Sequence, residues 1–337
     1  MASTHTGHTA TLMTDGRVLV TNGGESEVAQ VYDPASDTWS VTGEIPGGRV
    51  RHTATLLADG RVLVAGGTDG RTGLPSTSAV LYDPDSGTWA ETGSMHEARA
   101  RHAAALLPDG RVLVAGGAID PDGEGVLASA EIYDHRTGTW SATGPMSVAR
   151  SAHPAVVLPD GQVLVVGGVG VFVSPVDSVA LASAEVYDPR AGTWASTADL
   201  AEARFGHTAT VLADGRVLVA FGSPGFGEAL ASAEIYDPGR DAWDSVAGGE
   251  ARIDHAATRL LDGSVLVTGG SHGDTILTLA ERFDPVHDAW TTTVPPPAGR
   301  EDPTATLLAD GRVLVVGGRT ADDAAPTSDI YQPGSES

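Results

Sequence analysis

The chain has 337 residues, no cysteine, and twenty basic residues that are all arginine. These absences exclude disulfides, thiolate metal sites, cysteine nucleophiles and a lysine Schiff base or general base. A formal net charge of -24 repels phosphate backbones and anionic lipid, so neither nucleic acid nor membrane is an expected partner, and most of this charge reads as a solvated surface.

The N-terminal stretch MASTHTGHTATLM lacks the basic flank and apolar core of a secretion signal, and no apolar run reaches spanning length, so a cytoplasmic location is the expectation. From His8 onward the chain repeats itself with a period of about 50 residues. Successive copies start at His8, His52, His102, His153, His207, His255 and Pro303, with proline in the histidine position of the seventh. Each copy has a second half around Tyr32, Tyr82, Tyr133, Tyr187, Tyr236, Phe283 or Tyr331. Six of these continue to Trp39, Trp89, Trp140, Trp194, Trp243 or Trp290, and the last has no tryptophan.

One copy reads as four short strands, A to D. HTATLL and RVLVAG are joined by Asp-Gly, a pair suited to the positive φ angles of a tight hairpin, and AVLYD and TWAETG by a turn containing Pro and Gly. Such a sheet cannot bury both faces alone, so the copies must stack on one another.

The diglycines Gly66-Gly67, Gly116-Gly117, Gly167-Gly168, Gly269-Gly270 and Gly317-Gly318, the Tyr-Asp-Pro segments and the spaced tryptophans resemble the kelch-repeat family over essentially the whole chain. The resemblance implies an all-β, seven-bladed kelch-type β-propeller forming a single domain over residues 1–337. It leaves function open, because kelch propellers serve both as binding modules and as enzymes. Met1 aligns with Met95 and Met146, just beyond strand D, so the seventh blade is expected to have three strands. Ring closure then rests on side-chain packing, unless an upstream segment is missing.

If the A–B and C–D turns share one face, the D–A connections and B–C loops share the other. B–C loops range from ESEVAQ in the first copy to VGVFVSPVDSVALASAE in the fourth, so the site is expected on that variable face. Phe172, Phe205, Phe221 and Phe226 map to it and read as an aromatic wall together with Val171, Val173 and Val176, or as packing for the long fourth loop. Phe283 only replaces a repeat tyrosine.

The two residues before each repeat histidine should ring the channel mouth: Thr6-Gly7, Val50-Arg51, Ala100-Arg101, Ser151-Ala152, Phe205-Gly206, Ile253-Asp254 and Glu301-Asp302. Arg51 and Arg101 suit a carboxylate, phosphate or enolate oxygen; in kelch interaction modules, arginines near this position bind acidic peptide motifs. Asp254, Glu301 and Asp302 would repel one another beside an apolar wall, raising at least one pKa, which makes them candidate general acids or bases together with His272. The strand-A histidines recur with Arg99, Arg150, Arg204, Arg252 and Arg300, as a copied structural contact would, and are not read as a metal site.

Galactose-oxidase-like members build a copper-radical cofactor from tyrosine crosslinked to cysteine, which a chain without cysteine cannot make. Plant specifier proteins, also kelch propellers, are associated with an iron pattern E-x-x-x-D-x-x-x-H. Glu250 and Asp254 match its first two positions, but Thr258 stands in place of the histidine, for which His255 or His272 would have to substitute. No cofactor is therefore expected, with a divalent metal near Glu250 and Asp254 as the alternative.

The main expectation is a small-molecule pocket, catalytic by acid–base chemistry as a cyclase, isomerase, lyase or hydrolase. The alternatives are a protein-interaction module for an acidic or apolar segment and an Fe(II)-dependent specifier-like lyase. On the enzyme reading, Asp254→Asn or Glu301→Gln lowers turnover and Phe221→Ala mainly weakens binding.

Overall fold

Val-Leu-Val at the centre of each copy dictates the packing, because strand B is apolar on both faces and needs a neighbour on each. In the computed structural model, which describes residues 7–21, 28–120, 125–170, 179–225, 227–321 and 328–333, every strand B is buried along its length. Blade three shows the pattern. Its antiparallel strands run Ala103–Leu106, Val112–Ala115, Ala130–Asp134 and Thr139–Thr143, with Leu113 opposite Ile132 and Tyr133 opposite Trp140. Leu113, Ala115 and Ile132 pack on Val163 and Val165 of blade four, so the core is a series of apolar seams between sheets. Six blades have four strands, and the seventh has three among the described residues, Thr304–Leu307, Val313–Val316 and Ser328–Tyr331. The molecule is a seven-bladed β-propeller.

Blades one and seven close the ring by side-chain packing, as expected. Val18, Val20 and Tyr32 meet Leu308, Leu314 and Val316, and Arg312 donates to the Pro34 carbonyl at 3.0 Å. At the A–B turns only glycine takes a positive φ: Gly60 has φ 87°, while Asp59 accepts the Arg61 amide at 3.1 Å. Outside, tyrosine and tryptophan rings of one blade stack at 5.0–5.1 Å. Trp140 also donates to the Gly93 carbonyl of the preceding blade at 2.7 Å.

The repeat arginines are buried structural residues, and Arg49 belongs with them. Arg150 donates to the carbonyls of Gly167 and Ser183, both at 2.8 Å, and to Glu185 at 3.1 Å. Among the described residues Arg49 donates to carbonyls and Ser78 alone, since Val80 replaces the glutamate, and burial pulls its pKa down to about 10 against the raising effect of Asp69.

The repeat histidines latch neighbouring blades at the inner rim. His102 Nε2 lies 2.9 Å from Thr53 Oγ1, His255 from Thr208 at 2.9 Å, and His8 from Thr304 at 3.0 Å across the closure. Burial, then the adjacent Arg99, pulls the His102 pKa down to about 3, so the ring is neutral. His153 and His207 face Ala103 and Pro154 at the threonine position, so neither has the threonine hydroxyl, and the ring nitrogens of His153 lack partners among the described residues. Ala103→Thr should supply the missing hydroxyl and raise stability by about 1 kcal/mol, read as a higher urea midpoint with an unchanged slope.

Candidate functional site

The residue before each repeat histidine lies where the D–A connection enters strand A, and all seven of these residues have φ between 50° and 62°. Gly7 and Gly206 suit that left-handed conformation; Arg51, Arg101, Ala152, Asp254 and Asp302 adopt it at a cost of about 1–2 kcal/mol per ordinary side chain. Main-chain bonds tie them into an arc around the axis: Arg51 N–H donates to Gly7 at 2.7 Å, Arg101 to Arg51 at 3.0 Å, and Ala152 to Arg101 at 2.9 Å. A second arc runs from Asp254 to Gly206 at 3.0 Å and from Asp302 to Asp254 at 2.8 Å. The Gly7 N–H joins the two by donating to Asp302 Oδ2 at 2.7 Å. Gly206 makes room for its neighbour, since a Cβ there would lie 2.8 Å from Asp254 Oδ1.

Residues one position earlier bridge to the start of the B–C loop, as in Ser151 with Val169, Phe205 with Ser223 and Glu301 with Arg319. D–A connections and B–C loops therefore share one face. On that face an axial cavity of about 570 Å³ opens, lined by Arg51, Arg101, Phe205, Asp254, Glu301 and Asp302. Sequence comparison singled out each of these. Ala152, Val169, Arg319 and the histidines His8, His52, His102 and His153 complete the wall.

Charge is divided across the cavity. Blades two and three bring Arg51 and Arg101; blades six and seven bring Asp254 and Asp302; no ion pair joins the two groups among the described residues. Burial, reinforced by Asp302 and Glu301, pushes Asp254 up to about 7 while Arg101 and Arg51 oppose the shift. The side chain remains in contact with cavity solvent, which screens part of that effect. Asp302 also rises because of burial, restrained by the Gly7 N–H and Arg51. Burial and then Arg51 lower Arg101. Glu301 is already engaged: Arg319 reaches it at 2.6 Å and Ser271 Oγ donates at 2.7 Å. It ties blade seven to blade six at the rim.

A raised carboxyl pKa binds more protons in the folded than in the unfolded state, so the fold loses stability as pH rises from about 4 to about 7. Asp254→Asn removes that loss. The variant should be more stable than the parent by about 1 kcal/mol at pH 8, after screening, and indistinguishable from it at pH 4 in paired urea titrations.

Two expectations are corrected. Phe221 does not wall the cavity: it is fully buried between blades five and six, 4.9 Å from the Trp290 ring, 5.3 Å from His255 and under the Arg252 guanidinium. It replaces the first glycine of a diglycine. In blades two and three a Cβ on that glycine would meet Met95 or Met146 within 3.2 Å, and the residue corresponding to those methionines here is Gly248. Phe221 thus fills volume that a methionine fills elsewhere. His272 is exposed on a two-stranded hairpin, Ser271–His272 with Thr275–Ile276, outside the cavity lining. Phe172 and Phe226, with Val171, Val173 and Val176, lie outside the described residues.

Thr258 Oγ1, at the position of the pattern's histidine, donates to the Ala305 carbonyl at 2.5 Å, and no group of three or more His, Cys, Asp or Glu arranged to hold a metal ion is found among the described residues. Arg319 escaped sequence comparison, although the position after the diglycine reads Thr68, Ala118, Val169, Ser223, Ser271 and then Arg319.

The model of the KLHDC2/KLHL20/DRC7 Kelch-repeats domain matches residues 7–199. An F-box/kelch-repeat protein of Arabidopsis thaliana is 36% identical over 103 residues, 30% of this chain and 26% of that protein, so the match spans about a quarter of the relative. A fungal alcohol oxidase of the AA5 family, solved in complex with copper, superposes with a TM-score of 0.76 over 97% of this chain and 77% of that one. Its identity of 19% makes the likeness one of fold alone.

Proposed function

The chain belongs to the kelch-repeat family, and from that premise we propose that its axial cavity binds a small molecule and moves a proton on it through Asp254. The observation that carries this reading is the cavity itself: about 570 Å³, concave, with charged groups of both signs and Phe205 converging on it. That size suits a compact ligand. Arg51 and Arg101 hold a developing or resident negative charge, and Asp254, poised near neutrality, gives or takes the proton. Asp302 shares its charge environment, and Phe205 with Val169 excludes water on one side. The accessible reactions are cyclisation, isomerisation, elimination and hydrolysis.

A thermal-shift screen of metabolites tests the reading. At least one compound should raise Tm with concentration, and Arg101→Gln or Asp254→Asn should weaken it tenfold or more. A turned-over hit should lose most of its rate in Asp254→Asn. The family match and the F-box/kelch relative favour a second reading, capture of an acidic or apolar protein segment on the same face. Binding of such a segment in competition with no small molecule at all would replace the first reading with the second.

A further inference from the structure

Five side chains occupy left-handed positions around the axis, and four of them are charged. Their signs are not interspersed: Arg51 and Arg101 are neighbours, Asp254 and Asp302 are neighbours, and the intervening positions are Gly7 on one side and Ala152 with Gly206 on the other. Arg51, Asp254 and Asp302 are exposed to the cavity, so water rather than a partner charge screens them, and a ligand can take that water's place. Where this rim can pair its charges it does so, as Arg319 and Glu301 show. The ring backbone instead fixes the arginine and aspartate groups apart, with no hydrogen bond or ion pair between them among the described residues.

A third side of the cavity is different. Ala152, Val169 and Phe205 form its apolar part on blades four and five, and beside them stands His153, only 6% exposed. Burial, then Arg150, holds His153 well below its ordinary pKa, so it is a neutral imidazole, and neither ring nitrogen has a partner among the described residues. Both ring nitrogens are shielded from the cavity, and the partner they lack is the hydroxyl of the repeat threonine that Ala103 replaces, so His153 adds an uncharged wall beside the apolar side.

On the reading that the axial cavity holds a small molecule, we infer that this molecule is a zwitterion of amino-acid to dipeptide size with an apolar side group. Its anionic group sits on Arg51 and Arg101, its cationic group on Asp254 and Asp302, and its side group against Phe205 and Val169. A simple anion would satisfy the arginines and be repelled by Asp254, Asp302 and Glu301. A simple cation meets the converse penalty. A neutral compound would desolvate both groups and compensate neither. Only a ligand carrying both charges answers both sides of the ring, and forked arginine donors suit a carboxylate.

The test is calorimetric titration of the whole chain with leucine, phenylalanine and their dipeptides, each beside its N-acetyl and C-terminal amide derivative. A parent zwitterion should bind, and either blocking group should weaken it at least tenfold. Asp254→Asn should weaken the parent tenfold yet leave the N-acetyl form as tight or tighter, since a repelling charge is removed. Arg101→Gln should weaken the parent in the same way and leave the amide as tight or tighter. Affinity of the parent should rise between pH 6 and 8 as Asp254 loses its proton, the facing groups being Asp302, Glu301, Arg101 and Arg51. Equal binding of the N-acetyl or amide form overturns the inference and leaves a small-molecule site for an anion or a cation. Failure of every parent to bind also overturns it, and the metabolite screen then decides the small-molecule reading separately. A cooperative melting transition and the parent's circular-dichroism spectrum establish that each variant is folded, whatever the shift in its midpoint.

Discussion

Phe221→Ala should lower the stability of the propeller by about 3–5 kcal/mol, the range for emptying an aromatic site in a core. The ring is fully buried in a seam with Leu218, Ile235, Val265 and Phe283, and it contributes contacts to His255, Trp290 and Arg252 that no smaller side chain reaches. Alanine would inherit the left-handed backbone, φ 61°, and so regain nothing. Phe221→Gly relieves the backbone but leaves the same void, because Gly248 has no side chain to enter it. Both variants should shift the urea midpoint strongly, while any ligand of the axial cavity keeps its affinity for the folded fraction. A large loss of affinity with little loss of stability would return Phe221 to the site.

Glu185→Ala should cost about 3 kcal/mol or more, for a different reason. The carboxylate accepts the amides of Ser147 at 2.7 Å and Val148 at 3.1 Å, and pairs with Arg150 at 3.1 Å, with both side chains almost wholly buried. Removing it leaves a buried guanidinium without its counter-charge, with only the Gly167 and Ser183 oxygens as partners. Burial alone pushes the Glu185 carboxyl up, but the two amides and Arg150 outweigh it and hold the pKa below its ordinary value. A depressed carboxyl contributes stability that is present above the unfolded pKa and disappears as pH falls through the folded one. The difference between parent and variant should therefore be largest at pH 7 and shrink toward pH 3 in urea titrations. A difference that stays constant with pH would mean that packing, not charge, is what the substitution removes.

Comparison of the seven copies made Arg51, Arg101, Phe205, Asp254, Glu301 and Asp302 legible, because each departs from its repeat at a position the repeat does not need for packing. The same comparison misplaced Phe221. A departure inside the diglycine looks like a surface feature when positions are taken singly, and the compensating Gly248 stands 27 residues later in the chain. His272 follows a diglycine in sequence, but the local Ser271–His272 hairpin carries it out of the cavity. Left-handed geometry at the ring was hinted at only by Gly7 and Gly206 sharing a column with arginine and aspartate. Arg319 is legible only when the column after the diglycine is aligned, where it is the one charged residue beside Thr68, Ala118, Val169, Ser223 and Ser271.

Blade four is stapled to its neighbours less firmly than the other blades at the inner rim. His153 and His207 both lack the threonine contact there, and no main-chain bond from Gly206 to Ala152 continues the arc among the described residues. Breathing of the disc should therefore concentrate at this compliant sector, with faster amide deuteration near Ala152 and Gly206 than at Arg101 and Asp302. It is also the apolar side of the cavity. Opening of that sector leaves the charged groups on either flank in place.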